Sequence, residues 1–165
     1  MRLNEYLDSL KGKTVAVIGI GVSNTPLIEL LLGYGISVTA CDKKERAAFG
    51  DLADRLEKWG CTLKLGEDYL KDLDQDVIFR SPGIRPDIAE FEAAKARGSK
   101  ITSEMEVFFD VCPCHMLAVT GSDGKTTTTT IISELLKAAG KTVYVGGNIG
   151  HPLLAEAGKM KEEDW

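Results

Sequence analysis

The sequence predicts an α/β fold: a Rossmann-like parallel sheet domain followed by the incomplete start of a P-loop α/β domain. Three observations carry this reading. Short apolar runs alternate with helical patterns through the first part of the chain, which is the rhythm of βαβ units. Two glycine-rich turns, GIGVSN at Gly19 to Asn24 and TGSDGKTT at Thr120 to Thr127, each lead from an apolar run into a helical one. The second turn comes late, at Thr120 of 165 residues, so few residues follow it to complete a sheet.

The elements follow in order. Thr14 to Ile20 (TVAVIGI) is a β-branched run that predicts a strand buried on both faces. A helix follows with Pro26 in its first turn and Gly33 or Gly35 at its end. Ser37 to Asp42 is the second strand, and a charged helix carrying Leu52, Leu56 and Trp59 comes next. TLKLG and DVIFRSPGI read as further strands, IAEFEAAKARG as a helix ended by Gly98, and KIT as a short strand. Ser103 then caps a helix, with Glu106 three positions on as the second half of a capping box and Met105, Phe108 and Phe109 as its core face. MLAVTG is expected to form a strand before the second glycine turn, Thr126 to Ala139 a helix, and KTVYVGG a strand after it. The domain boundary is placed at Thr102, giving units 1–102 and 103–165.

Composition bounds the function. Hydrophobic residues make up 44% and charged residues 27%, which suits a globular domain with a sizeable core. The net charge of −5 argues against a nucleic-acid or anionic-membrane partner. No apolar run approaches the roughly 18 residues a membrane span requires. The acidic, amphipathic amino terminus is unlike a signal peptide, so a cytoplasmic location is expected. Cys41, Cys61, Cys112 and Cys114 lack the paired C-x-x-C spacing of a zinc site and read as thiols of a reducing compartment.

Gly19 and Gly21 would let the backbone turn tightly and approach a phosphate at a helix N-terminus. Asp42 ends the second strand about 20 residues on, where a dinucleotide fold places its ribose-binding acid. That position fits an NAD-dependent oxidoreductase. Asn24 replaces the third glycine, however, so close helix–strand packing of the usual kind is not assured. Lys43 and Lys44 add charge suited to a nucleotide phosphate. The turn reads as a nucleotide-diphosphate site of unspecified kind. RSPGI supplies Ser81 and Gly83 at the carboxyl edge of the sheet, either for a ligand or simply for a turn.

The second turn is more specific. Backbone N–H groups of Gly121, Ser122, Asp123, Gly124 and Lys125 would cradle phosphate oxygens, and Lys125 adds a point charge. Thr126 is the hydroxyl expected on Mg²⁺, with Thr127 beside it at the helix start. The loop is shorter than the usual G-x-x-x-x-G-K-[ST]: Val119, not a glycine, stands five positions before Gly124. The compact form T-G-x-x-G-K-[ST]-[ST] resembles the ATP loop of the Mur ligases and their folylpolyglutamate synthase relatives. VAVIGIGVSN, SPGI and VGGNIGHPLL resemble that family as well, in order and at fitting spacing, on the branch that joins D-glutamate to UDP-N-acetylmuramoyl-L-alanine.

The resemblance implies an ATP-dependent amide ligase of peptidoglycan precursor synthesis that works through an acyl phosphate, with ATP and Mg²⁺ as cofactors. It implies that Val22, Ser23, Asp42, Lys43, Lys44, Ser81 and Gly83 hold the UDP end of the substrate, and that Asn148 contacts the muramoyl part. It further implies ATP binding by Gly121 to Thr127, catalysis assisted by Lys125 and Mg²⁺ near Thr126. Asp123 stands where the family often has asparagine and places a negative charge near the phosphates. The family continues with a metal-binding glutamate, a histidine, a modified lysine and a third domain, none of which follows Trp165. The chain is therefore expected to be an amino-terminal fragment that is inactive alone and self-associates through its incomplete second unit. An NAD-dependent oxidoreductase and a non-catalytic nucleotide-binding module are the competing readings.

Overall fold

The computed structural model describes residues 1–22, 24–147 and 151–165. Five parallel strands form one sheet: β1 (Thr14–Ile18), β2 (Ser37–Asp42), β3 (Thr62–Leu65), β4 (Val77–Phe79) and β5 (Lys100–Thr102). Their spatial order is β3-β2-β1-β4-β5. The chain thus builds outward from β1 on one side, then returns to add β4 and β5 on the other. That reversal leaves a crevice at the carboxyl ends of β1 and β4, where open α/β sheets bind ligands. The register pairs Val17 with Ala40 on one side and with Phe79 on the other.

Side chains alternate across this sheet as the period of two requires. Val15 and Val17 point into a large core with Val38, Ala40 and Phe79, covered by α1 (Leu3–Ser9) and α2 (Asn24–Gly33). Leu56 of α3 (Asp51–Lys58) and Phe108 of α5 (Glu104–Val111) join the same core. Ala16, Ile18 and Ile78 face the other side, where Phe91 and Ala94 of α4 (Ala89–Ala96) close a smaller core. Burial on both faces explains why β1 reads as a continuous apolar run. At the amino-terminal edge Asp76 ties β1 to β4, accepting from the Thr14 N–H at 2.7 Å and the Thr14 hydroxyl at 2.8 Å. These bonds hold the Asp76 carboxyl below its ordinary range.

Several boundaries differ from the sequence reading. β1 stops at Ile18, because Gly19 turns the backbone with φ of +94°. β4 covers only Val77–Phe79, since the Ser81–Ile84 turn bends the chain away. Ser103 caps α5 by accepting from the Glu106 N–H at 3.2 Å, but only half of the capping box forms. The Glu106 carboxylate instead accepts from the Thr102 hydroxyl at 3.2 Å and meets Arg80 at 3.4 Å. α1 had no element assigned in the sequence reading.

The larger correction concerns the second unit. α6 (Lys125–Ala138) forms as expected, within a residue. The flanking segments MLAVTG and KTVYVGG form no strand ladder among the described residues. A strand is defined by its neighbour, and neither segment hydrogen-bonds to the other. Leu117 is 58% exposed and Leu135 of α6 is 66% exposed, so this unit leaves apolar surface uncovered. Among the described residues, no helix is long and apolar enough to cross a membrane.

Candidate nucleotide-binding site

The first glycine turn is held by two side chains and one backbone bond. The Asp42 carboxylate accepts from the Ile20 N–H at 2.8 Å with one oxygen and from the Lys44 N–H at 2.9 Å with the other. The Gly19 N–H donates to the Cys41 carbonyl at 2.7 Å, which carries the β1–β2 pairing into the turn. The buried Asn24 amide donates to the carbonyls of Ile18 and Gly19, each at 3.0 Å. Asn24 was read from sequence as a weakness in helix–strand packing. The structure corrects that reading: the amide occupies the space a glycine would leave and satisfies two carbonyls that the strand no longer pairs.

The second wall of the crevice is the turn after β4. A Cβ placed on Gly19 would stand 3.1 Å from the Ser81 Cβ, so these two turns touch across the switch point. The Ile84 N–H donates to the Ser81 carbonyl at 3.0 Å and closes the Ser-Pro-Gly turn, leaving Gly83 exposed. Val22 is 86% exposed, and Lys43 and Lys44 are exposed at the same sheet edge. Val22, Asp42, Lys43, Lys44, Ser81 and Gly83 are thus brought to one end of the sheet by β1, β2 and β4. Ser23 and Asn148 lie outside the described residues. Tyr69 was not foreseen near this edge; burial raises its phenol pKa, and the charges of Asp42 and Glu90 add to that rise.

The phosphate loop enters α6 through Gly124, whose φ of +73° only glycine adopts freely. No side chain caps this helix, and among the described residues the N–H groups of Lys125, Thr126 and Thr127 have no backbone partner. These are the unpaired donors that an anion satisfies at a helix start. Lys125 folds back over the loop, donating to the Gly121 carbonyl at 2.5 Å and the Ser122 carbonyl at 3.0 Å. Asp123 and the Thr126 hydroxyl are exposed beside it. This donor set fits the phosphates of ATP. It fits Mg²⁺ only as an ion shared with those phosphates: among the described residues, no three His, Cys, Asp or Glu side chains converge.

Among the described residues, no cysteine thiol bonds to either turn. Burial pushes the Cys41 thiol up to about 12. Cys112 and Cys114 lie 3.1 Å apart, sulfur to sulfur, while the His115 ring stacks on Trp165 at 4.7 Å.

A doubly wound sheet with a glycine turn at its switch point, followed by a Gly-Lys-Thr-Thr loop opening a second helix, defines an α/β protein with two glycine-rich helix starts of the kind suited to phosphate. The chain belongs to the Mur ligase family: residues 13–103 match the Mur ligase MurD-like N-terminal domain, and residues 119–163 match the Mur ligase middle domain. It is 52% identical over 161 residues to a UDP-N-acetylmuramoylalanine–D-glutamate ligase of Clostridium botulinum (strain Okra / Type B1), covering 97% of this chain and 35% of that protein. The corresponding ligase of Clostridium novyi (strain NT) is 48% identical over 162 residues, covering 98% of this chain and 35% of its own length. The chain thus spans about a third of the length of these curated relatives.

Among solved structures, the murein peptide ligase of Psychrobacter arcticus matches with a TM-score of 0.50 and 26% identity, over 80% of this chain and 28% of that one. The UDP-N-acetylmuramate–alanine ligase of Thermotoga maritima matches with a TM-score of 0.50 and 24% identity, over 83% of this chain and 32% of that one. The second likeness supports the fold alone.

Proposed function

We propose that this chain supplies the UDP-substrate unit, residues 1–102, and the start of the ATP unit, residues 103–165, of a cytoplasmic ligase. The ligase would add D-glutamate to UDP-N-acetylmuramoyl-L-alanine in peptidoglycan precursor synthesis. The observation that carries this reading is the pairing of two different phosphate sites in one chain. The turn after β1 is braced by Asp42 and Asn24 for a diphosphate at the switch point. The loop before α6 presents unpaired N–H groups and Lys125 to a triphosphate. A ligase that activates a carboxylate with ATP while gripping a UDP-linked substrate needs both. A hydride-transferring enzyme needs only the first.

In this proposal Val22, Ser23, Ser81 and Gly83 hold the diphosphate end, and Asp42, Lys43 and Lys44 stand at the uracil and ribose. Asn148 contacts the muramoyl part. Gly121, Ser122, Asp123, Gly124, Lys125, Thr126 and Thr127 bind ATP, with Thr126 beside Mg²⁺. The metal, when bound, offsets charge on the transferring phosphoryl group. Lys125 already sits over the loop and would exchange its two carbonyl acceptors for phosphate oxygens, which are stronger acceptors.

Two titrations of the 165-residue chain test this, one with UDP-N-acetylmuramoyl-L-alanine and one with NADH. Saturable binding of the first and none of the second is expected. The reverse would establish the oxidoreductase reading instead. Phosphate release from ATP that depends on both UDP-N-acetylmuramoyl-L-alanine and D-glutamate is expected from a chain of the relatives' length, and not from these 165 residues alone.

A further inference from the structure

Cys112 and Cys114 stand on either side of Pro113, where the chain leaves α5. Their sulfurs lie 3.1 Å apart, a gap that small side-chain rotations close to a disulfide bond of about 2.0 Å. The backbone between them has few soft torsions. Cys112 ends α5 with its N–H on the Phe108 carbonyl at 2.9 Å, and takes the extended conformation that a following proline favours, with φ of −65° and ψ of 121°. Pro113 fixes its own φ. Both cysteines are half-buried against the main core. The Cys114 sulfur also rests 3.9 Å from that of Met160, which is buried at the end of the 3-10 turn Leu154–Lys159. That turn packs on α5, so the ends of two packed elements limit where the Cys114 thiol can go.

The other two thiols are placed differently. Cys41 and Cys61 are buried and donate to the backbone carbonyls of Thr39 and Thr62. Among the described residues no three His, Cys, Asp or Glu side chains converge, so the Cys112–Cys114 pair is not part of a zinc-type cluster. Two neighbouring thiols without further ligands have a chemistry of their own, which is exchange with another disulfide.

We propose that Cys112 and Cys114 form a reversible dithiol–disulfide site whose reaction partner is a small-molecule disulfide. Cys112 gives up its proton, and its thiolate attacks one sulfur of the small disulfide, whose S–S bond breaks to release one thiolate. Cys112 then carries a mixed disulfide. Cys114 gives up its proton, its sulfur attacks that of Cys112, and the second small thiolate leaves. In all, the two protein thiols lose two electrons and two protons, and the small disulfide gains both to become two thiols. Burial, and after it the neighbouring Cys112, push the Cys114 thiol up to about 12. Cys114 thus keeps its proton until Cys112 has reacted, which suits the resolving role. The fold supplies the closeness: an unfolded C-P-C segment must find this arrangement among many, whereas the folded chain holds it. Transient pairs of this kind are the form disulfides take in reducing compartments. The inference rests on the end of α5 and stands apart from the ligase reading, whose UDP-substrate titration reports on the crevice at β1 and β4.

Trypsin gives a direct readout, because the fragment Ile101–Lys125 contains Cys112 and Cys114 and neither of the other cysteines. The folded chain is equilibrated in buffers of graded glutathione to glutathione disulfide ratio, quenched with acid, alkylated under denaturing conditions and digested for mass spectrometry. The expected product is the fragment lighter by two hydrogen atoms and carrying no alkyl group. The free fragment 101–125, treated in the same way, is the unfolded reference, and its disulfide should be at least tenfold less favoured. Cys114→Ser, which keeps Cys112, should stop at the mixed disulfide with one glutathione. A folded chain that takes up glutathione and goes no further overturns the proposal, as does one whose two thiols stay alkylated at every ratio. An equal equilibrium constant for chain and fragment also overturns it, since the pair would then be a property of three residues and not of the fold.

Discussion

Gly19 and Ser81 meet across the crevice so closely that a side chain on Gly19 would stand 3.1 Å from the Ser81 Cβ. Gly19 also holds φ of +94°, so two independent constraints exclude a larger residue. Gly19→Ala is expected to destabilise the protein by about 1–2 kcal/mol from backbone strain and to push the two turns apart. UDP-N-acetylmuramoyl-L-alanine binding should weaken by roughly tenfold, the equivalent of about 1.4 kcal/mol. Gly33→Ala is the matched control, since Gly33 has open space and lies in α2. It should stabilise by up to about 1 kcal/mol. Urea midpoints for the two variants moving in the same direction would remove this account of Gly19.

Asn24 provides a second prediction. Its buried amide serves the Ile18 and Gly19 carbonyls at the end of β1. Asn24→Ala leaves both acceptors without that donor, one buried and the other half-buried, and should cost about 1–3 kcal/mol. Asn24→Gly, the residue that the usual dinucleotide turn would carry, should not restore the loss. Full stability of the glycine variant in urea denaturation would show that the amide bonds are incidental.

These two residues show what the sequence could and could not convey. β2 and β5 were legible to the residue, because a helix-ending glycine, Gly35 or Gly98, stands two positions before each. The phosphate loop was legible because Gly-Lys-Thr-Thr opening a helix has few other uses. The role of Asn24 was not legible, since a motif records the absence of a glycine and not what an amide does in its place. The strands expected at 116–121 and 141–147 carry the right local pattern. Pairing is a property of the neighbour, and among the described residues no backbone hydrogen bond joins these two segments. Local pattern also could not show that Leu154, Ala157 and Met160 pack with α1 and α5 in the main core.

Lys125 should act on ATP and not on the UDP-substrate. Its ammonium group closes the loop by bonding the Gly121 and Ser122 carbonyls. Lys125→Met keeps the length of the side chain and removes the charge. ATP affinity of the 165-residue chain, measured by calorimetry with Mg²⁺ present, should fall at least tenfold, as expected for a charge-assisted bond worth about 1.5–3 kcal/mol. UDP-N-acetylmuramoyl-L-alanine affinity should not change. An equal fall for both ligands would mean that the substitution disturbs the fold and not a phosphate contact.

Glu104 gives a pH dependence with a definite sign. It opens α5, is buried, and accepts from the Leu154 N–H at 2.7 Å, fixing the start of the 3-10 turn Leu154–Lys159. Burial raises its pKa above 4.5, and the N–H groups of Leu154 and Leu153 oppose that rise without cancelling it. The folded state therefore holds this proton more tightly than the unfolded state. Its contribution to stability is fully present below pH 4.5 and is lost as pH rises through the folded value. Glu104→Gln keeps an oxygen for the Leu154 N–H and has no charge to bury. The melting temperature of the variant relative to the parent should therefore increase as pH is raised from 4.5 and level off near neutrality. A difference that stays constant across that range would show that the carboxyl titrates alike in both states, and that its burial in the α5 cap carries no electrostatic cost.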